Sequence, residues 1–155
     1  MLLIHCYSAW RPDEICDMEL KNIDLENEIM LGGKKTSAGK NRFVPIHSKI
    51  KPLVEKRYKK SCELKGDYLF LNSKGRKVTY YLYRYRFNSI CKNLELNPEH
   101  RPHDCRVEFT SRAKKCKVDE YAIKYMVGHS INDLTEKVYT KRDPEWLKEE
   151  IEKIK

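Results

Sequence analysis

Apolar positions along this chain follow two different periods, and the switches between them mark the elements. Residues 1–10, Met-Leu-Leu-Ile-His-Cys-Tyr-Ser-Ala-Trp, are apolar from the first position with no polar lead-in, which reads as the tail end of a core helix. Arg11-Pro12-Asp13-Glu14 then has the grammar of a new helix start. Proline suits the first turn, the acids suit the positive end of the dipole, and Ile15 and Met18 follow at helical spacing. Arg11 therefore sits at a helix N-terminus just after a buried segment, either as a plain surface cation or as a functional one. From Asn22 to Ile46 the period becomes two. Asn22–Leu25, Glu28–Leu31 and Arg42–Ile46 predict a three-stranded antiparallel sheet, joined at Glu26-Asn27 and by the turn-rich Gly32-Gly33 and Ser37-Ala38-Gly39.

Helical spacing returns for the rest of the chain. Ser48 to Glu63 predicts a helix with Ile50, Leu53, Val54 and Tyr58 inward. Gly66–Leu71 reads as a short buried extended segment and Asn72–Gly75 as a turn. Tyr83, Phe87, Ile90, Cys91 and Leu94 then repeat as one helix face, with Tyr83 and Phe87 read as core rather than as stacking platforms for bases. Pro98 and Pro102 break the pattern ahead of His103. The segment beyond is helical, with Phe109 and Ala113 on a common face, and a second helix carries Val118, Tyr121, Ala122, Tyr125 and Met126 in the clearest amphipathic pattern of the chain. Gly128 ends it and leaves His129 exposed. Ser130-Ile131-Asn132-Asp133 has the outline of a capping box that starts a short helix leading to Tyr139. Pro144–Lys155, with Trp146, Leu147, Ile151 and Ile154 on one side, is a terminal helix that needs a place to dock. The fold class is α+β, mostly helical, with a small sheet near the N-terminus, in one domain spanning residues 1–155.

Composition narrows the partner. Lys and Arg outnumber Asp and Glu by 32 to 23, and the resulting charge of +9 is spread along the chain. A polyanion is the expected partner, nucleic acid before membrane surface. No apolar run approaches the length of a membrane span. The six cysteines lack any C-x-x-C pair and read as reduced thiols of a cytosolic protein. A metal site from His100, His103 and Cys105 is a weak alternative, because zinc sites announce themselves with two close ligand pairs.

The chemistry gathers between His103 and Tyr139. His103-Asp104-Cys105-Arg106, Gly128-His129-Ser130 and Val138-Tyr139-Thr140 deal out fixed cations, a proton-transfer group and a hydroxyl nucleophile, the side chains that phosphoryl transfer uses. His103 and Arg106, three apart, share a helix face. Further cations lie on the second hairpin connection, where Lys34, Lys35, Lys40 and Arg42 fall within ten residues; a basic hairpin can lie in a DNA groove, or be only a solvated tip.

Together, Arg11-Pro12-Asp13-Glu14, Ile23-Asp24-Leu25-Glu26-Asn27, the Lys35-Thr36 hairpin ending in Arg42-Phe43-Val44-Pro45-Ile46, His103-Asp104-Cys105-Arg106, Gly128-His129-Ser130 and Val138-Tyr139 resemble the catalytic domain of tyrosine recombinases, the phage and transposon integrases. Each motif alone is weak; six in order across nearly the whole of a basic chain are specific. The resemblance implies that Arg11 and Arg106 grip the scissile phosphate, that Tyr139 is the nucleophile, and that His103 and His129 fill the two remaining basic positions. It gives Lys35 as the general acid for the leaving 5′ oxygen, a role that a different hairpin register would pass to Lys34 or Lys40, and Glu14 as the acidic position that orients the site.

The implied activity is site-specific DNA recombination or integration through a 3′-phosphotyrosyl link, with no metal, ATP or other cofactor. The implied partners are double-stranded DNA and a tetramer of the chain on it, associated through residues 144–155 unless that helix docks on its own domain. The implied setting is the cytoplasm of a bacterial host, on DNA. A non-catalytic DNA-binding module of the same fold and a type IB topoisomerase-like enzyme are the alternatives. The chain departs from the family pattern at Trp10, where a small residue is expected before the first arginine, and at Val107, where a histidine often follows the second. The family's separate N-terminal DNA-clamping domain has no room here, so the chain is expected to be a fragment, or an isolated catalytic domain, with a shortened first helix.

Overall fold

The computed structural model describes residues 1–131 and 143–155. Its elements are helices α1 (Leu2–Cys6) and α2 (Pro12–Cys16), strands β1 (Ile23–Asp24), β2 (Ile29–Gly32) and β3 (Arg42–Pro45), then helices α3 (Lys51–Glu63), α4 (Tyr80–Asn93), α5 (Asp104–Lys115), α6 (Glu120–Val127) and α7 (Pro144–Glu152). Single 3-10 turns at Leu20–Asn22 and Ser37–Gly39 lead into β1 and β3.

The sheet is antiparallel in the order β1-β2-β3, pairing Ile23 with Met30 and Met30 with Val44. That register lines Ile23, Met30 and Val44 on one buried face and leaves Leu31 on the other, 43% exposed. The inner face joins a core filled by Ile4 and Trp10 from the first segment, Phe109 and Ala113 of α5, Ala122 and Met126 of α6, and Leu147 and Ile151 of α7. A smaller cluster of Phe87, Cys91 and Cys105 seats α4 against α5.

Helix boundaries follow their caps. Asp119 accepts from the Tyr121 and Ala122 amides at the start of α6, Thr79 accepts from Leu82 N at the start of α4, and Asp143 accepts from Glu145 N ahead of Pro144 in α7. Gly128 ends α6 at φ +67°, a left-handed conformation that L side chains rarely adopt. Gly66–Leu71 is extended, bridging Glu19 to Tyr68 and Leu71 to Lys77. Three apolar residues assigned inward by spacing are exposed: Leu53 (38%), Ile90 (37%) and Leu94 (63%). Leu53 lies on α3 and Ile90 on α4, with Leu94 at the C-cap of α4.

Helix α7 docks on its own domain. Leu147, Ile151 and Ile154 are each 1% exposed or less. Glu152 accepts from the amide and hydroxyl of Ser48, at 2.6 Å each, and Glu150 accepts from Asp119 N at 2.7 Å. His47 accepts from Lys49 N through Nδ1, which leaves Nε2–H to donate to Ile154 O at 2.7 Å.

His5, fully buried, ties α1 to α4. Its Nε2–H donates to Trp10 O at 3.0 Å, so Nδ1 accepts from the Tyr83 hydroxyl at 2.7 Å and the ring is neutral. Burial, with the charges of His103 and Arg106 assisting, pushes its pKa down to about 4. The unfolded chain takes up this proton near pH 6.5 and the folded chain only near 4, so protonation favours unfolding. This share of stability is full above pH 6.5 and is lost as pH falls toward 4, on the order of 3 kcal/mol. Urea unfolding across that interval should show the slope, and His5→Gln, which keeps an N–H but does not titrate, should flatten it; an unchanged slope would assign the loss to other groups.

Candidate active site

Residues far apart in sequence meet where the start of α2, the start of α5, the end of α6 and the root of the β2–β3 hairpin come together. Arg11 is the N-cap of α2, with extended φ and ψ of −71° and 153°. The Glu14 carboxylate accepts from its amide at 3.0 Å and from its Nη1 at 3.1 Å, so one acid fixes both the backbone and the guanidinium of Arg11.

Arg106, on the first turn of α5, is 4% exposed. Its Nη1 donates to Ala9 O and its Nη2 to Val127 O. Those carbonyls lie two residues before Arg11 and two before His129, so Arg106 holds the backbone on either side of it. Burial, then repulsion from Arg11 and Arg42, lowers its pKa to about 10, and it stays charged at neutral pH. His129 is exposed beyond the α6 cap. Its pKa is lowered by partial burial and by Arg106, Arg11 and Arg42, which leaves a neutral imidazole beside a concentration of positive charge. Arg11, Arg106 and His129 are thus brought within electrostatic reach of one another, a site built for an anion.

The other expected site residues stand differently. His103 precedes α5 and is exposed, next to Asp104 in the sequence. Lys35 is not drawn into the cluster. Its side chain is 68% exposed, with Nζ 3.6 Å from Asp13 Oδ2 at the rim beside α2. Lys34 pairs instead with Asp17 at 3.4 Å. Tyr139 and the helix expected to carry it lie outside the described residues.

The sequence marks Arg42 only as a strand residue and hairpin cation, yet its guanidinium is bound on every side. It is 1% exposed. Its Nη2 donates to Glu14 Oε2 at 2.6 Å and its Nη1 to Glu14 Oε1 at 3.3 Å and Gly39 O at 2.9 Å, while Nε donates to Met126 O at 2.8 Å. The guanidinium lies 4.4 Å from the centre of the Trp10 ring. A signal was available: Arg42 alternates onto the same strand face as the apolar Val44, and an arginine on a buried face must find partners for its N–H groups. The hairpin root also touches α6. Thr36 Oγ1 donates to Gly128 O at 3.3 Å, and a Cβ on Gly128 would fall 2.7 Å from Gly39 Cα.

The model of the phage integrase family matches residues 1–145. The chain is 28% identical to the tyrosine recombinase XerA of Pyrococcus horikoshii over 164 residues, covering 100% of this chain and 54% of that protein. It is 28% identical to the tyrosine recombinase XerC of Thermodesulfovibrio yellowstonii over 155 residues, covering 94% and 50%. The chain therefore spans about half the length of the relatives it matches. Among solved structures, a XerA recombinase superposes with a TM-score of 0.74 at 19% identity, over 94% of this chain and 53% of that one. The Tn1549 transposon integrase in complex with circular intermediate DNA gives 0.72 at 21%, over 97% and 55%. With the family matched across nearly the whole sequence and the fold shared, the chain belongs to the phage integrase family.

Proposed function

We propose that residues 1–155 form the catalytic domain of a site-specific DNA recombinase that cleaves and rejoins strands through a 3′-phosphotyrosyl intermediate. The observation that carries this reading is the convergence of Arg11, Arg106 and His129 from three separate segments, with Arg106 fixed by two backbone carbonyls. Two guanidiniums and an imidazole meet the charge that grows on the non-bridging oxygens of the phosphate. The Tyr139 oxygen forms the new bond to phosphorus, giving up its proton with the assistance of His103, as the bond to the 5′ oxygen breaks. Lys35 supplies the proton that this oxygen takes up. The two fixed guanidiniums take the part that a divalent ion plays in other phosphoryl transfers. The phosphotyrosyl link keeps the bond energy for rejoining, so neither metal nor ATP enters the scheme.

Duplex DNA is the proposed partner, met in the host cytoplasm, with self-association into a tetramer on it. Because the apolar side of α7 is covered by its own domain, an assembly through residues 144–155 needs that helix to exchange between copies. The test is to incubate the protein with a nicked suicide duplex bearing its site and to map the attached residue by mass spectrometry. Attachment at Tyr139 is expected. Salt-sensitive binding with no adduct would instead identify a non-catalytic DNA-binding module, and relaxation of supercoils without sequence preference a type IB topoisomerase-like enzyme.

A further inference from the structure

We propose that Arg42 is a positioning residue that registers the Lys35 hairpin against the arginine clamp, an inference that rests on the reaction set out above. The side chain of Lys35 does not fix its own place: its one ion pair among the described residues, to Asp13, joins two exposed groups at 3.6 Å, an interaction worth little in water. Its position is set by the hairpin root. There Arg42 directs four N–H bonds at three segments, the Glu14 carboxylate that also holds Arg11, the Gly39 carbonyl in the hairpin, and the Met126 carbonyl three residues before His129. One planar group thereby sets the spacing between the hairpin, the first arginine and the second histidine. Thr36, next to Lys35, adds a strut from the same root: its hydroxyl donates to Gly128 O and accepts from Gly39 N. Trp10, a departure from the family pattern, is the surface on which the guanidinium lies. The bulky residue before Arg11 is thus part of this arrangement.

Arg42 touches no reacting atom in the scheme, so its effect falls on the step that Lys35 performs. In that step the bond from phosphorus to the 5′ oxygen breaks, the electron pair stays on oxygen, and the lysine ammonium gives it a proton. A 5′ sulfur in place of that oxygen leaves as thiolate without a proton, since a thiol has a pKa of about 8.5. Arg42→Lys keeps a positive charge for Glu14 but cannot reproduce the fork to Gly39 O and Met126 O.

The experiment compares adduct formation on the ordinary nicked substrate and on one with a 5′-bridging sulfur, for the wild type and for Lys35→Ala, Arg42→Lys, Thr36→Val and Arg11→Ala. Arg42→Lys and Thr36→Val should each lose about tenfold or more on oxygen, as a misplacement near 1 Å does, and regain most of it on sulfur, as Lys35→Ala does. Arg11→Ala should stay impaired on both. Thr36→Val leaves the buried charges in place and serves should Arg42→Lys fail to fold. An equal loss on both substrates for these two variants, with Lys35→Ala rescued by sulfur, would overturn the role of Arg42 and leave the reaction standing. No adduct from the wild type on either substrate would overturn the reaction itself.

Discussion

Arg106→Ala is expected to slow covalent adduct formation by about 100- to 1,000-fold, the loss that follows removal of one preorganised donor from a transition-state anion. A guanidinium has five N–H donors. Two of those in Arg106 are committed to Ala9 O and Val127 O, and three remain for a phosphate. The substitution therefore removes a donor and also releases the backbone ahead of Arg11 and of His129. The two buried carbonyls lose their partner, at a cost of about 1–3 kcal/mol each, so the urea midpoint should fall as well. Arg106→Lys should recover little activity, because an ammonium cannot span both carbonyls and still face the substrate. A wild-type rate of adduct formation in Arg106→Ala would remove it from the site.

The second large effect belongs to Glu14, which makes no contact with substrate in the proposed reaction. It is 8% exposed and bound by two arginines. Burial by itself would raise its pKa, but hydrogen bonds from Arg42 and the Arg11 amide, with the charges of both arginines, outweigh burial and hold it down to about 2. An unfolded glutamate protonates near pH 4.5, so the folded state favours the carboxylate. This stability is full above pH 4.5 and is lost as pH falls toward 2, on the order of 3 kcal/mol. Glu14→Ala strands Arg42 as a buried unpaired cation and should destabilise the domain by about 3–5 kcal/mol at neutral pH. Urea unfolding at pH 7 measures the loss, and the variant should also lose the acid-dependent part between pH 4.5 and 2. Wild-type stability at pH 7 would show that the Arg42–Glu14 pair is not what holds this corner. His5 acts in the adjoining interval above, so acid should loosen the domain in two stages, first at the α1–α4 contact and then at the hairpin root.

Much of this architecture can be read from the sequence because it is local. Period two marks the strands, helical spacing marks α3 to α7, and Gly128 and Pro12 mark an end and a start where the structure has them. The sequence motifs also placed Arg11, Arg106 and His129 in one family pattern, and the structure brings those three together. What spacing could not supply depends on separation along the chain. Arg42 and Glu14 stand 28 residues apart and Arg106 reaches a carbonyl 97 residues away, and no period links such positions. Leu53, Ile90 and Leu94 match a helix face by spacing and are still exposed, because spacing records the direction of a side chain and not whether a neighbour lies in that direction. The motif singles out Lys35 by its place next to Thr36 and carries no information about how far its flexible stem stands from the arginines.

Trp10 gives the protein an optical gauge. It is one of two tryptophans in the chain, and its indole lies fully buried with the Arg42 guanidinium over its face. A cation against an indole alters the energy and lifetime of its excited state, so any motion that lifts the guanidinium away changes the emission of this ring. With Trp146 replaced, the remaining fluorescence would follow the hairpin root as DNA arrives, in real time and without a label.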